Sequence, residues 1–182
     1  MTTREEETRL LARVREGDHD AFADLMRAHE DRVFSVCLRI IGDRERALDA
    51  TQETFLTVFR KSSQFQGRSA LGTWIYRIAV NRCYDELRKL KRQRSEPLPE
   101  HTDPPDAAAL DAVEAAGLRP ELRRALLSLP PDFRAAIVLS DIEGFSMPEA
   151  AEALGVPVGT VKSRVFRGRR LLGEALGNQI GT

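Results

Sequence analysis

The 182-residue chain is poor in the residues that mark most chemistries. Its two cysteines, Cys37 and Cys83, stand alone inside apolar helical patterns. Neither belongs to a Cys-x-x-Cys or His-x-x-x-Cys pattern, so no zinc site is expected. They read as buried structural thiols, and a reversible disulfide requires them to meet in space. The three histidines, His19, His29 and His101, have neither ligand nor triad spacing. No glycine-rich stretch has the form of a phosphate cradle. No enzyme active site, metal or cofactor is therefore expected. No apolar run approaches the length of a membrane span, and Thr2–Thr8 has no apolar character. The reading is a cytoplasmic chain without membrane insertion. Charge of one sign is also missing overall, since 28 basic residues balance 28 acidic ones.

The distribution of charge says more than the sum. Residues 1–95 carry nineteen basic and fifteen acidic groups, residues 96–132 three and eight, and residues 133–182 six and five. Two basic ends around an acidic middle suggest two nucleic-acid-facing modules and a connector. Apolar residues recur with helical spacing and no alternating strand is visible, so the fold class expected is all-α. Leu10, Leu11 and Val14 mark a first short helix, ending near Gly17. Further helices are expected over about 20–41, from 43 or 44 to 61, and over about 70–92. A loop, residues 62–69, separates the last two. Residues 97–105 contain four prolines and no apolar periodicity, which reads as a flexible linker. Short helices are expected around 120–129 and 131–143. The organisation is a domain over 1–94, a linker over 95–118 and a domain over 119–182. Each half is small enough to bury only a modest core, and independent motion is the default.

The final segment carries the strongest signal. Ser146 and Glu149 have capping-box spacing, so a helix should begin at Met147. Gly155-Val156-Pro157 breaks it, and a second helix keeps Val158, Val161, Val165 and Leu172 near one face. Five basic residues and no acid lie between Val158 and Leu171. A capped short helix, a tight turn and a basic second helix suit a helix-turn-helix with its second helix in a major groove. Gly168 inside that helix costs about 1 kcal/mol relative to alanine and has no evident role in the sequence. Further upstream, Asp49, Gln52, Glu53 and Leu56 share one helical neighbourhood. Such an acidic and amide stripe suits a basic partner helix, or is simply solvated. In the loop, Phe65 offers a flat wall for a base or else an anchor on the core. Gly67 permits close backbone approach, and Gln66, Ser69 and Asn81 offer hydrogen-bonding groups. Trp74 shares a face with Leu71, Ile75 and Ile78, which favours a core role over a wedge. The run Arg88–Arg94 suits phosphates, which position without specifying.

In this order the segments resemble the sigma-70 family of bacterial transcription initiation factors, and within it the extracytoplasmic-function group. Asp49-Ala-Thr-Gln-Glu-Thr-Phe-Leu56 is similar to the family's polymerase-binding segment. Residues 65–82 look like its −10 recognition segment. Leu129–Leu139 and the Gly159-Thr-Val-Lys-Ser-Arg164 helix look like its −35 domain. The resemblance implies a promoter-specificity factor whose partners are core RNA polymerase (its beta and beta-prime subunits), promoter DNA and an anti-sigma factor. It implies that Asp49, Gln52, Glu53 and Leu56 bind a coiled coil of the largest subunit. It places Phe65, Gln66, Gly67, Arg68, Ser69, Ala70, Arg77, Asn81 and Arg88 on the −10 element, the loop and Asn81 lining a pocket for a flipped base. It places Lys162, Ser163, Phe166, Arg167 and Arg170 on a GGAAC-like −35 element. Lysine at 162, where relatives often have arginine, lacks the bidentate fork. The linker acids Glu96, Glu100, Asp103 and Asp106 fit either nucleic-acid mimicry or plain solvation. The competing reading is a free-standing helix-turn-helix regulator, which would have no need of Asp49–Leu56 or of a single-strand pocket.

Overall fold

The computed structural model describes residues 4–95 and 118–180. Residues 96–117 of the expected linker, with its four acids, lie outside the described residues, and Ser95 ends α4. Among the described residues there is helix and no strand, as the periodicity requires. The helices are α1 (Arg4–Arg15), α2 (His19–Ile41), α3 (Arg44–Lys61), α4 (Leu71–Ser95), α5 (Pro120–Ser128), α6 (Pro131–Ile137), α7 (Met147–Leu154) and α8 (Val158–Ile180). A 3-10 turn, Ser62–Gln64, follows α3, and α6 runs on into a π turn, Val138–Ile142.

Polar side chains set the ends. Asp18 caps α2 by accepting from the Ala21 amide at 3.0 Å, and Asp43 caps α3 from the Arg46 amide at 2.9 Å. The box at α7 is complete: Glu149 accepts from the Ser146 amide at 2.9 Å while the Ser146 hydroxyl accepts from the Glu149 amide. On α3, three threonines face inward with their hydroxyls satisfied. Thr51, Thr54 and Thr57 each donate to the carbonyl four residues back, at 2.7, 2.6 and 2.7 Å.

Helices α1 to α4 enclose Leu25, Val33, Val36, Ile40, Val58, Ile75 and Val80, all fully buried. Helices α5 to α8 enclose Leu126, Leu139, Val161 and Val165. Each such side chain contributes about 1.5–3 kcal/mol of transfer free energy. Val158, expected on the inner face of α8, is instead 36% exposed, because it opens the helix before the face turns inward.

The two halves pack against one another. Helix α4 packs along α7, and the C-terminal end of α2 packs on α5. The buried apolar residues form one continuous cluster across both halves. Tyr76 of α4 meets Phe145 edge-on at 5.0 Å. The Glu143 carboxylate, with its side chain only 7% exposed, accepts from Arg32 Nε at 2.7 Å and Arg39 Nη1 at 2.8 Å. Buried Arg134 donates to the Leu127 and Leu129 carbonyls, at 2.7 and 2.9 Å, and across the junction to the Ile40 carbonyl. Composition alone could not reveal this, because the ion pairs and the Arg134–Ile40 bond across the junction join residues 94 to 111 positions apart.

Candidate nucleic-acid interface

Helix α3 turns its threonines and Phe55 inward, and so turns Asp49, Gln52, Glu53 and Leu56 to solvent. Leu56 is 45% exposed, and Leu48, which the sequence reading passed over, is 41% exposed one turn before Gln52. The face therefore has an apolar residue at each end of its polar centre. The signal was available, since Leu48, Gln52 and Leu56 follow i, i+4, i+8 spacing. Between α3 and α4 runs a polar groove of about 460 Å³, walled by Asp49, Gln52 and Glu53 on one side and Arg82, Asp85, Glu86, Arg88, Lys89 and Arg92 on the other.

Many cations of that groove already have partners. Arg88 pairs with Asp85, Lys89 with Glu86, and Arg82 reaches Asp85 at 3.5 Å and the Thr57 hydroxyl at 3.1 Å. Ion pairs this exposed contribute about 0–1 kcal/mol, so exchange for a phosphate is cheap.

The loop between α3 and α4 presents Gln66, Gly67, Arg68 and Ala70 to solvent, with Ser69 partly covered. Phe65 is half-buried, its ring 5.2 Å from that of Trp74 and tilted by 48°. The ring is thus anchored on Trp74 and the core while part of it remains open to solvent. Trp74 is partly buried and packs against the core, as its spacing suggested. Gly67 takes φ 68 with nothing within 4 Å of a Cβ there. Its backbone requires glycine, and the space beside it is open. Asn81 is exposed on α4. Arg77 is exposed too, but its guanidinium sits beside Gly155, 3.9 Å from the position of a Cβ. Junction packing thus brings Arg77 beside the turn of the helix-turn-helix, a neighbour the sequence could not supply.

On α8, Lys162, Ser163, Phe166, Arg167 and Arg170 all face solvent, and Phe166 is 74% exposed. Ser163 donates to the Thr160 carbonyl at 2.9 Å. The cations sort into two sets. Arg164 pairs with Asp132 at 2.9 Å, Arg169 with Asp141 at 2.6 Å, and Arg170 with Glu174 at 3.7 Å. Lys162 and Arg167 have no such partner among the described residues. Gly168 now has a role. A Cβ there would lie 2.9 Å from Ile137 Cγ1 and 3.5 Å from Phe133 Cβ, so glycine lets α8 press against α6.

Cys37 and Cys83 are buried side by side between α2 and α4. A hydrogen bond to Cys37 and burial hold the Cys83 thiol well above the usual thiol range. A group so held is a poor nucleophile.

Residues 25–93 match the family described as Sigma-70 region 2, and residues 119–172 match Sigma-70, region 4. The chain is 43% identical over 156 residues to the ECF RNA polymerase sigma factor SigE of Mycolicibacterium smegmatis, covering 84% of this chain and 60% of that longer protein. It is 34% identical over 176 residues to the ECF RNA polymerase sigma factor SigW of Bacillus subtilis, covering 91% and 94%. Its fold is similar, at TM-score 0.68 and 26% identity over 86% of this chain and 96% of the other, to the sigma factor RpoE of Bartonella quintana, solved with the anti-sigma factor NepR. A basic helix-turn-helix, an exposed acidic stripe and an aromatic loop in this order, together with end-to-end similarity to SigW, make the chain a member of the extracytoplasmic-function group of sigma-70 RNA polymerase sigma factors.

Proposed function

We propose that three surfaces of this sigma factor divide its work. Asp49, Gln52, Glu53 and Leu56 dock on core polymerase. Phe65–Ala70 with Asn81 captures an unpaired −10 base, flanked by Arg77 and Arg88. Lys162, Ser163, Phe166, Arg167 and Arg170 read the −35 duplex. The functional units are residues 1–94 and 119–182, with 95–118 as connector. The factor acts in the cytoplasm and lends specificity, while the polymerase supplies the chemistry. RpoE of Bartonella quintana was solved with an anti-sigma factor, and an inhibitor of that kind is the second protein partner proposed here.

The observation that carries this reading is the state of α8. Phe166, Lys162 and Arg167 stand clear of the core and of ion pairs, while Arg164 and Arg169 are tied back to Asp132 and Asp141. An aromatic edge can contact a thymine methyl, and free cations suit guanine acceptors. The −35 and −10 elements are named for positions about 25 base pairs apart, or about 85 Å of duplex at 3.4 Å each. Helices α4 and α7 instead pack directly against one another. Reading both elements at once therefore requires the halves to part, and residues 96–117 reach about 75 Å when extended. Run-off transcription with core polymerase on a promoter library tests the reading. Transcripts that start at a fixed distance from a common −35 and −10 pair are expected. Binding to palindromic duplexes without polymerase would favour the regulator instead.

A further inference from the structure

Helix α1 takes part in none of the three surfaces, yet its last residue reaches the −10 loop. The end of α1 is held firmly: Arg13 pairs with Asp18 at 2.7 Å, and Asp18 also caps α2. From that fixed end Arg15 Nε donates to the Ser62 carbonyl at 2.9 Å, and Arg15 Nη2 donates to the Phe65 carbonyl. The two acceptors bracket the 3-10 turn that ends α3. Carbonyls at a helix end lack partners within the helix. The local alternative here is long, with the Phe65 amide 3.4 Å from the Ser62 carbonyl. A guanidinium brings two donors in a rigid fork, and its charge suits the negative end of a helix.

The result is a loop with one fixed end and one free stretch. The Phe65 backbone is tied to α1, and its ring rests on Trp74. The side chains of Gln66, Arg68 and Ser69 make no hydrogen bond among the described residues. An aromatic wall that is already in place costs no ordering when a base arrives, while free neighbours can close on its edge.

We propose that Arg15 is a positioning residue for −10 base capture: it holds the Phe65 backbone so that the ring is preset to stack on an unpaired base. The proposal rests on the assignment of Phe65 made above, and it gives α1 a part in strand capture. Arg15 touches no base in this scheme. A cation that merely stabilised the fold would act on every function of the chain alike, whereas this one acts through a single ring.

The test titrates a labelled single strand, carrying the −10 sequence recovered from the run-off library, against polymerase holding wild-type or variant chain. The variants are Arg15→Ala, Arg15→Lys, Phe65→Ala, Asn81→Ala and Arg15→Ala with Phe65→Ala. Circular dichroism checks folding, and a −35 duplex provides the control. If loss of the clamp leaves the ring preset about a tenth of the time, Arg15→Ala should bind the single strand about tenfold more weakly. Binding to the −35 duplex and to core should not change. Arg15→Lys should recover only part, because an ammonium has no fork. The double variant should match Phe65→Ala within about twofold, since residues acting through one another are non-additive.

Wild-type single-strand affinity for Arg15→Ala, beside a weak Phe65→Ala, overturns the proposal and leaves the pocket standing. Losses that multiply in the double variant overturn it too, because Arg15 would then act apart from the ring. So does an equal loss on the −35 duplex, which would mark general damage. If Phe65→Ala and Asn81→Ala both bind normally, the pocket assignment falls and the role of Arg15 falls with it.

Discussion

On α8 the candidate reading side chains lie within residues 162–170 of one helix, whereas the proposed −10 surface is gathered from the end of α1, the loop after α3 and the middle of α4. The first needs only one helix whose buried face includes Val161 and Val165. The second exists only once three separate stretches have packed. The difference matches the tasks. Duplex DNA offers a groove that already fits a rigid helix. A base leaving the stack has no shape to meet until it arrives, so the surface needs one preset wall and adjustable neighbours. A local element can be rigid cheaply; an assembled one can be selective about what it holds still.

The largest expected effect separates docking from reading. Charge reversal at Asp49 and Glu53 should weaken core binding by about 2–5 kcal/mol, in the range for close charge pairs at interfaces. Gel filtration with core polymerase would show it, and −35 duplex binding by the free chain should be intact. Core binding at wild-type strength would remove the stripe from the docking surface. Next comes the assembled reader. Phe65→Ala together with Asn81→Ala should cost about 3 kcal/mol of single-strand affinity, the upper end for stacking on one base. Permanganate reactivity of thymines near the start site should rise more slowly, and a pre-melted template should restore only part. Normal opening by folded protein would return Phe65 to a loop anchor.

The local reader should respond differently. Arg167→Ala should cost about 2 kcal/mol and relax preference at one or two −35 positions, while Arg169→Ala, tied to Asp141, should cost less than about 1 kcal/mol and leave preference unchanged. A uniform loss across a −35 library for Arg167→Ala would place it on phosphates. The smallest effect tests the frame. Ser146→Ala should destabilise the fold by about 1 kcal/mol in urea unfolding. Hydrogen bonds from the Ser146 side chain and backbone lower the Glu149 pKa below its usual 4.5. A depressed carboxylate stabilises the fold above its unfolded pKa and loses that contribution as pH falls through the folded value. The wild-type advantage over Ser146→Ala should therefore shrink as pH drops below about 4.5.

The same contrast explains what could be read in advance. Helix limits, the capping box and the outward set on α8 follow from spacing and turn residues, and these are local quantities. Leu48 was legible by the same spacing and was passed over because an exposed leucine looks like core in a helical pattern. Arg15 was not legible, because its acceptors lie 47 and 50 residues away and are main-chain atoms that any sequence would supply. The junction of the halves was hidden for the same reason. Glu143 looks like one more surface acid until Arg32 and Arg39 are found on either side of it. Ion pairs on the arginines of α8 likewise depend on Asp132 and Asp141, and sequence alone could not sort reading cations from tethered ones.

Gly168 gives the packing of α8 a bearing on how promoter preference can drift. The helix rests on Ile137 and Phe133 where a methyl group would not fit. Its height above α6, and so how far Phe166 and Arg167 project from the domain, is set by a residue on its inward face. Replacement by alanine would gain about 1 kcal/mol of helix propensity and lift the helix by a few tenths of an ångström unless Ile137 moved aside. Two related factors with the same letters at 162, 163, 166 and 167 could thus favour different operators. A recognition code written only from the base-facing positions would miss the one that sets their common origin.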